Sequence, residues 1–226
     1  MEFESKLRQV RSFVLRTSRL TQAQAKALDE LWPTMGWDAD APLNINTLFG
    51  RDAPLWIEIG IGNGDALLHA AKLNPSKNLI GIEVHTPGVG HCLLGAQREQ
   101  IDNIRLAKTD AMDILRQCVP DNSVEQLNLY FPDPWHKKRH HKRRIVNDEF
   151  VSLVHQKLIA GGKLHMATDW QDYADWMQET LARHADKFTL SDHPIDQRPD
   201  WRPETRFERR GQRLGHSISD LIYCKP

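Results

Sequence analysis

Apolar residues change their period along this chain, and the changes divide it into elements. Short apolar runs at residues 55–59, 78–84, 104–107, 124–131 and 163–168 read as strands, with two more near 188–190 and 218–223. Between them, residues 65–73, about 89–100, 146–159 and 170–183 carry helical spacing. Phe150, Leu153, Val154 and Leu158 form the apolar stripe of the third helix, and Gly161-Gly162 reads as its stop. Upstream, Thr21 can cap a helix over TQAQAKALDELW that ends near Pro33, and a loop runs on to about Pro54. Strands alternating with helices predict an α/β fold on a mostly parallel, doubly wound, seven-stranded sheet of Rossmann type. Such sheets bind ligands at the carboxyl ends of their strands. Residues 1–50 read as an amino-terminal basic arm and helix, and residues 51–226 as the main domain. Lys6, Arg8, Arg11, Arg16 and Arg19 make the first 20 residues an extended or mobile arm.

Composition adds one feature to this outline. The 226 residues are 40% hydrophobic and 27% charged, as in a soluble domain, with no apolar run near the ~18 residues of a membrane span. The polar start has no signal-peptide core, and the three cysteines form no CxxC, so a reduced, cytoplasmic protein without membrane attachment is expected. The formal net charge is zero, but residues 137–144 read KKRHHKRR, leaving 24 basic against 30 acidic side chains elsewhere. Positive charge gathered in one place on an otherwise acidic chain marks a local anion-binding surface.

Three acidic residues surround a glycine loop. In LWIEIGIGNGD, Gly60, Gly62 and Gly64 lie between the first strand and the first helix, where the backbone must turn and approach a ligand. A dinucleotide site needs a small residue at position 65, and Asp65 stands there instead. The loop therefore suits a ligand without phosphates that carries a cationic amino-acid tail, with Glu58 available to the cation. Glu83 ends the second strand, where a carboxylate accepts from ribose hydroxyls. Asp110 follows the third strand and can accept from an adenine amino group or fix its own loop.

The fourth strand ends in LYFPDPWHKKRHHKRR. Pro132 and Pro134 stiffen the chain on both sides of Asp133, which becomes a candidate substrate-orienting carboxylate at the reactive end of the cleft. Trp135 either stacks on a base or packs beneath the loop. The basic run follows directly, where it can hold phosphates near the reaction. Asp169 follows the fifth strand and reaches the same sheet edge, although it also suits a helix cap before Trp170. Trp170 and Trp176 read as core. His136, His140 and His141 lack metal-site spacing, and no metal is assigned.

LWIEIGIGNGD, IGIEVHTPGV, NLYFPDPWHKKRHHKRRI, GGKLHMATDW and RPETRFERRGQRLGHSISDL together resemble the bacterial tRNA (guanine(46)-N(7))-methyltransferases of the TrmB type, over nearly the whole chain. The resemblance implies a Rossmann-like class I methyltransferase fold, S-adenosylmethionine as donor and guanine 46 of the tRNA variable loop as acceptor. It implies that Glu58, Glu83, Asp110 and Asp133 contact the cofactor region and that Asp133 is catalytic. Lys137, Asp169, Thr205, Arg206, Phe207 and Glu208 would contact substrate. Arg139, His140, His141, Lys142, Arg143 and Arg144 would touch RNA. No protein partner is required, and monomer and homodimer are both open.

The residues fit that acceptor chemistry on their own terms. Methylation at a pyrimidine carbon 5 generally needs a cysteine nucleophile, and the loop contains none. Guanine N7 already presents a lone pair and has no proton to lose. Asp133 would then orient the base through its N1–H and amino group, with alignment as the main rate factor. The alternative is an amino-group methyltransferase acting on adenine or cytosine in nucleic acid, in which Asp133 assists proton loss.

Overall fold

A computed structural model describes residues 11–14 and 19–226, so the expected basic arm lies largely outside the described residues. Strands β1 (Leu55–Ile59), β2 (Asn78–Ile82), β3 (Ile104–Ala107), β4 (Val124–Tyr130), β5 (Leu158–Thr168), β6 (Thr189–Leu190) and β7 (Ser219–Cys224) form one sheet in the order β3-β2-β1-β4-β5-β7-β6. The first five strands are parallel; β7 runs antiparallel to β5, and β6 antiparallel to β7. The doubly wound sheet expected from the sequence is therefore present.

Alternation along β1 shows how both faces are filled. Leu55, Ile57 and Ile59 point into one apolar cluster, and Trp56 into the other. The first cluster takes the buried sides of α5 (Ala111–Gln117), α6 (Asp148–Lys157) and α7 (Gln171–Ala182). The second takes α1 (Gln22–Met35), α3 (Asp65–Leu73) and α4 (Thr86–Glu99). Two short helices complete the set, α2 (Ile45–Phe49) and α8 (Arg206–Arg213).

Several elements differ from the sequence reading, each for a local reason. Helix α1 starts at the expected Thr21 cap, in a full capping box with Gln24, worth about 1 kcal/mol. It continues through Pro33 to Met35, because the carbonyl deprived of a donor belongs to the exposed Asp29. Helix α6 stops at Lys157, before the glycine pair. Leu158 already begins β5, and Gly161 (φ +75°) sits inside that strand near a register shift against β4. Helices α2 and α5 occupy stretches without a clear apolar period, each started by a side-chain cap, Asn44 and Asp110. The basic run is not a plain loop, since Lys138–Arg143 forms a 3-10 helix.

Candidate active site

Strand order reverses between β1 and β4, and a cleft of about 550 Å³ opens at their carboxyl ends. Its walls include Gly60, Glu83, Asp110, Tyr130, Phe131, Asp133, Asp169 and Phe207. The carboxylates that follow β2, β3, β4 and β5 thus face one space.

Gly60, Gly62 and Gly64 all have positive φ, at +72°, +56° and +87°. At Gly64, the amino-terminal cap of α3, an added Cβ would lie 2.4 Å from Cys92 Sγ, so conformation and contact both require glycine. Glu58 on β1 is 2% exposed, and its Oε2 has no hydrogen-bond partner among the described residues. Burial, then the nearby charges of Asp65 and Glu83, raise its pKa to about 8. A carboxyl group left incomplete in this way favours the approach of a cation. Glu83 is already tied down: Oε2 accepts the Gly62 N–H at 2.8 Å, and Oε1 accepts those of Val84 and His85 at 2.8 and 2.9 Å. Three backbone bonds fix this carboxylate at the cleft wall. Asp110 accepts the Met112 N–H at 3.0 Å as the cap of α5, and partial burial raises its pKa. These features fit a ligand bearing a cationic amino acid and a ribose.

The Pro-Asp-Pro turn is held between two non-glycine residues in the left-handed region, Phe131 (φ +50°) and Trp135 (φ +49°). Conformations of this kind cost of order 1 kcal/mol or more and persist only when contacts enforce them. Here the Phe131 N–H donates to Ala167 O at 2.7 Å, and the Trp135 N–H donates to Asp133 Oδ1 at 3.0 Å. Trp135 is buried, which decides between its two expected roles in favour of packing. Its indole N–H donates to Ser12 O at 3.1 Å, and the Arg143 guanidinium lies 3.9 Å from its ring centroid. Arg143 also donates to Arg11 O and Phe13 O at 3.0 and 2.8 Å. Residues 12–14 are thereby laid along the cleft as part of its wall.

The carboxyl-terminal segment is largely illegible in the sequence. Thr205 caps α8, accepting the Glu208 N–H at 3.1 Å, while Arg206 and Phe207 are exposed. Glu208 is buried between Arg198 and Arg202. Arg202, itself buried, also pairs with Asp220 of β7 through two hydrogen bonds. Asp220 accepts from His165 Nε2 at 2.7 Å. Trp201 Nε1 can only donate, so His165 Nδ1 receives it at 3.1 Å and the His165 proton sits on Nε2. Burial lowers the His165 pKa, consistent with a neutral ring. Across this polar layer, Gly211 packs α8 onto Asp169; a Cβ there would stand 2.7 Å from Asp169 Oδ2. Sequence reasoning does not reach Gly211, Arg202, His165 or Asp220. An acidic residue in the apolar strand SDLIYC is the available signal for a buried charge.

The basic run divides by exposure. Lys137, Arg139 and Lys142 are exposed, and His140, His141 and Arg143 are partly buried. Partial burial, then neighbouring cations, keep His140 below its ordinary pKa. Arg144 differs, because it is buried, donates to Pro134 O at 2.9 Å and pairs with Asp172. Its guanidinium braces the Pro-Asp-Pro turn from behind instead of facing solvent. Glu208 likewise faces arginines inside the protein. Among the described residues no His, Cys, Asp and Glu cluster could hold a metal ion.

The reversed strand order, the glycine loop and the carboxylates at successive strand ends define the fold of a Rossmann-like class I methyltransferase. Solved structures agree on the fold. The 16S rRNA methyltransferase KamB aligns with a TM-score of 0.59 at 16% identity, over 80% of this chain and 92% of that one. The antibiotic-resistance methyltransferase Kmr aligns at 0.55, also at 16% identity, over 84% and 94%. A family described as "Putative methyltransferase" matches residues 52–221. The tRNA (guanine-N(7)-)-methyltransferase of Aeromonas hydrophila is 52% identical over 219 residues, covering 96% of this chain and 92% of the relative. That of Alcanivorax borkumensis is 52% identical over 97% of this chain and 92% of its own length. The chain belongs to the bacterial tRNA (guanine-N(7)-)-methyltransferase family, the TrmB family.

Proposed function

We propose that this protein transfers the methyl group of S-adenosylmethionine to N7 of guanine 46 in the variable loop of tRNA. Carrying this reading is the meeting of Asp133 and Asp169 with Gly60, Glu83 and Asp110 on one cleft. Family membership supports the tRNA and guanine assignments. The cofactor, when bound, supplies an electrophilic methyl group. Glu58 would face its ammonium group, Gly60, Gly62 and Gly64 would admit its backbone-like tail, Glu83 would accept from its ribose, and Asp110 would lie at its adenine end.

The acceptor needs orientation and no proton transfer. Asp133, held rigid by its prolines and by the Trp135 N–H, would accept from the guanine N1–H and amino group. Asp169 and Lys137, with Thr205, Arg206 and Phe207, would complete the base and sugar contacts. Arg139, His140, His141, Lys142 and Arg143 would meet RNA phosphates. Arg144 and Glu208 serve the site as internal braces, in keeping with their burial. The test is transfer of labelled methyl from S-adenosylmethionine to unfractionated tRNA, followed by nucleoside analysis. Label in 7-methylguanosine at position 46 is expected. Label found only in N6-methyladenosine would transfer the assignment to the amino-group enzymes.

A further inference from the structure

Phe207 is the one large aromatic side chain among the described residues that is markedly exposed, at 56%. It stands on α8, whose sequence RFERRGQR is otherwise charged or polar apart from its glycine, and it lines the cleft that holds Asp133 and Asp169. Packing does not account for it there, since an exposed phenyl ring gains little from burial. Beneath it lies Phe131, with ring centroids 6.3 Å apart and planes within 19°. Phe131 is one of the two strained residues that bracket the Pro-Asp-Pro turn. The Arg202 guanidinium, clamped by Glu208 and Asp220, lies 5.5 Å from the Phe131 ring centroid. A backbone held in an unfavourable conformation, a parallel ring pair and a buried cation against the lower ring all fix one exposed aromatic surface at the mouth of the cleft.

We infer that Phe131 and Phe207 form a stacking platform for the purine that enters the site, with Phe207 in contact with the base and Phe131 setting the plane of Phe207. This rests on the proposed guanine acceptor and specifies how the base is held. A base drawn out of a folded RNA loses its stacking on its neighbours. Stacking on an aromatic side chain replaces that contact. It also fixes the ring plane, so that the carboxylates need to set only the in-plane rotation. Stacking is indifferent to base identity; selection of guanine falls to Asp133 and Asp169.

The experiment uses the full chain and tRNA carrying, at the guanine that the wild-type enzyme methylates, a fluorescent guanine analogue that keeps the N1–H and the 2-amino group. Fluorescence reports stacking, filter binding reports affinity, and unmodified tRNA reports methyl transfer. Phe207→Leu keeps an apolar side chain at an exposed position and should fold normally. Its kcat/KM is expected to fall about 10- to 100-fold, as the stacking energy implies, with loss of fluorescence quenching and tRNA affinity within about threefold, because phosphate contacts dominate binding. Phe207→Trp should restore the quenching that Phe207→Leu loses and raise kcat/KM at least about fivefold above that variant. Phe131→Gly removes the lower ring while suiting the left-handed backbone, so it should stay folded and still lose quenching. Normal quenching and kcat/KM in Phe207→Leu would overturn the platform while leaving the acceptor assignment intact. Failure of the wild-type enzyme to methylate any tRNA guanine would overturn both.

Discussion

Glu58 predicts that cofactor binding expels a proton. The carboxyl group is buried, one oxygen lacks a partner, and its pKa stands at about 8 against an ordinary 4.5. The groups around it explain the direction. Asp65 at the start of α3 and Glu83 beyond β2 repel its charge, while Cys92 of α4 and Tyr130 of β4, both neutral and raised by burial, offer no cation. At pH 6.5 a group of pKa about 8 is almost wholly protonated, and the ammonium of a free amino-acid ligand, more basic than a chain-terminal amine of pKa about 7.7–8.0, remains charged. Binding that ammonium should ionise Glu58 and release close to one proton. Ionising it at pH 6.5 costs about 2 kcal/mol, from 1.36 kcal/mol per pH unit, against about 4 kcal/mol for a partly screened ion pair. The surplus of about 2 kcal/mol makes Glu58→Gln bind some 10- to 50-fold more weakly. Without ligand the sign reverses. The folded state holds the proton more tightly than the unfolded chain, so this stabilisation is complete below pH 4.5 and is lost as pH rises through 8. The loss is of order 5 kcal/mol, and Glu58→Gln should melt higher than wild type at pH 8.5 and no higher at pH 5. Calorimetric titration with S-adenosylhomocysteine in phosphate and in Tris at pH 6.5 measures the proton. Equal enthalpies in the two buffers, or undiminished affinity in Glu58→Gln, would refute the reasoning.

Four further outcomes follow from the same geometry. Asp133→Ala should lower kcat by about 100-fold through misorientation of the base and leave tRNA affinity within about threefold; full turnover in a methyl-transfer assay would remove Asp133 from the reaction. Neutralising exposed Arg139 and Lys142 to Gln should reduce the slope of log affinity against log salt by about 0.7–0.9 for each phosphate left unneutralised, whereas an unchanged slope in filter binding would place those side chains away from RNA. Gly211→Ala puts a methyl group 2.7 Å from Asp169 Oδ2, closer than the two can approach without a shift, so kcat/KM should drop about tenfold or more with little change in tRNA binding, and an unaltered kcat/KM would uncouple α8 from Asp169. Arg202→Met leaves Glu208 and Asp220 buried without their shared cation, which costs about 3–5 kcal/mol and should lower the melting temperature by about 10 °C; a shift below 2 °C by calorimetry would mean that the network does not hold this segment.

The sheet is legible because its signal is local. β1, β3 and α3 have the bounds that their apolar runs indicate, since a parallel strand buried on both faces has to be continuously apolar. The cofactor end is legible for the same reason: glycines with positive φ and carboxylates at strand ends are set by a few residues each. Where the sequence misleads, the deciding interaction is distant. Gly161-Gly162 looks like a helix stop but relieves a strand whose partner lies some 35 residues upstream. Asp110 is a local case in which one of its two expected roles is met, since its carboxylate accepts the Met112 N–H and caps α5. Phe131 passes as the last apolar residue of a strand; only its backbone angle and the ring above it distinguish it.

Charge is the property least legible from composition, because like residues in one run have opposite environments. In KKRHHKRR, Arg139 and Lys142 face solvent, Arg143 folds over Trp135 to hold residues 12–14, and Arg144 is buried under the Pro-Asp-Pro turn. In RPETRFERRG the same division recurs, with Arg206, Arg209 and Arg210 outside and Glu208 inside on Arg202. Each segment therefore presents cations outward and uses a buried charged side chain, Arg144 paired with the exposed Asp172 or Glu208 paired with the buried Arg202, to hold a short polar element with no apolar stripe of its own. The 3-10 helix and α8 could not be fixed by hydrophobic packing without losing the charges that an anionic partner needs. Arginine–carboxylate pairs with one or both partners buried solve this, since they are directional and contribute little surface. The two segments that would touch RNA are thus positioned by the same chemistry that would bind it, and a mutational scan that treats all arginines in these runs as one class would mix loss of fold with loss of binding.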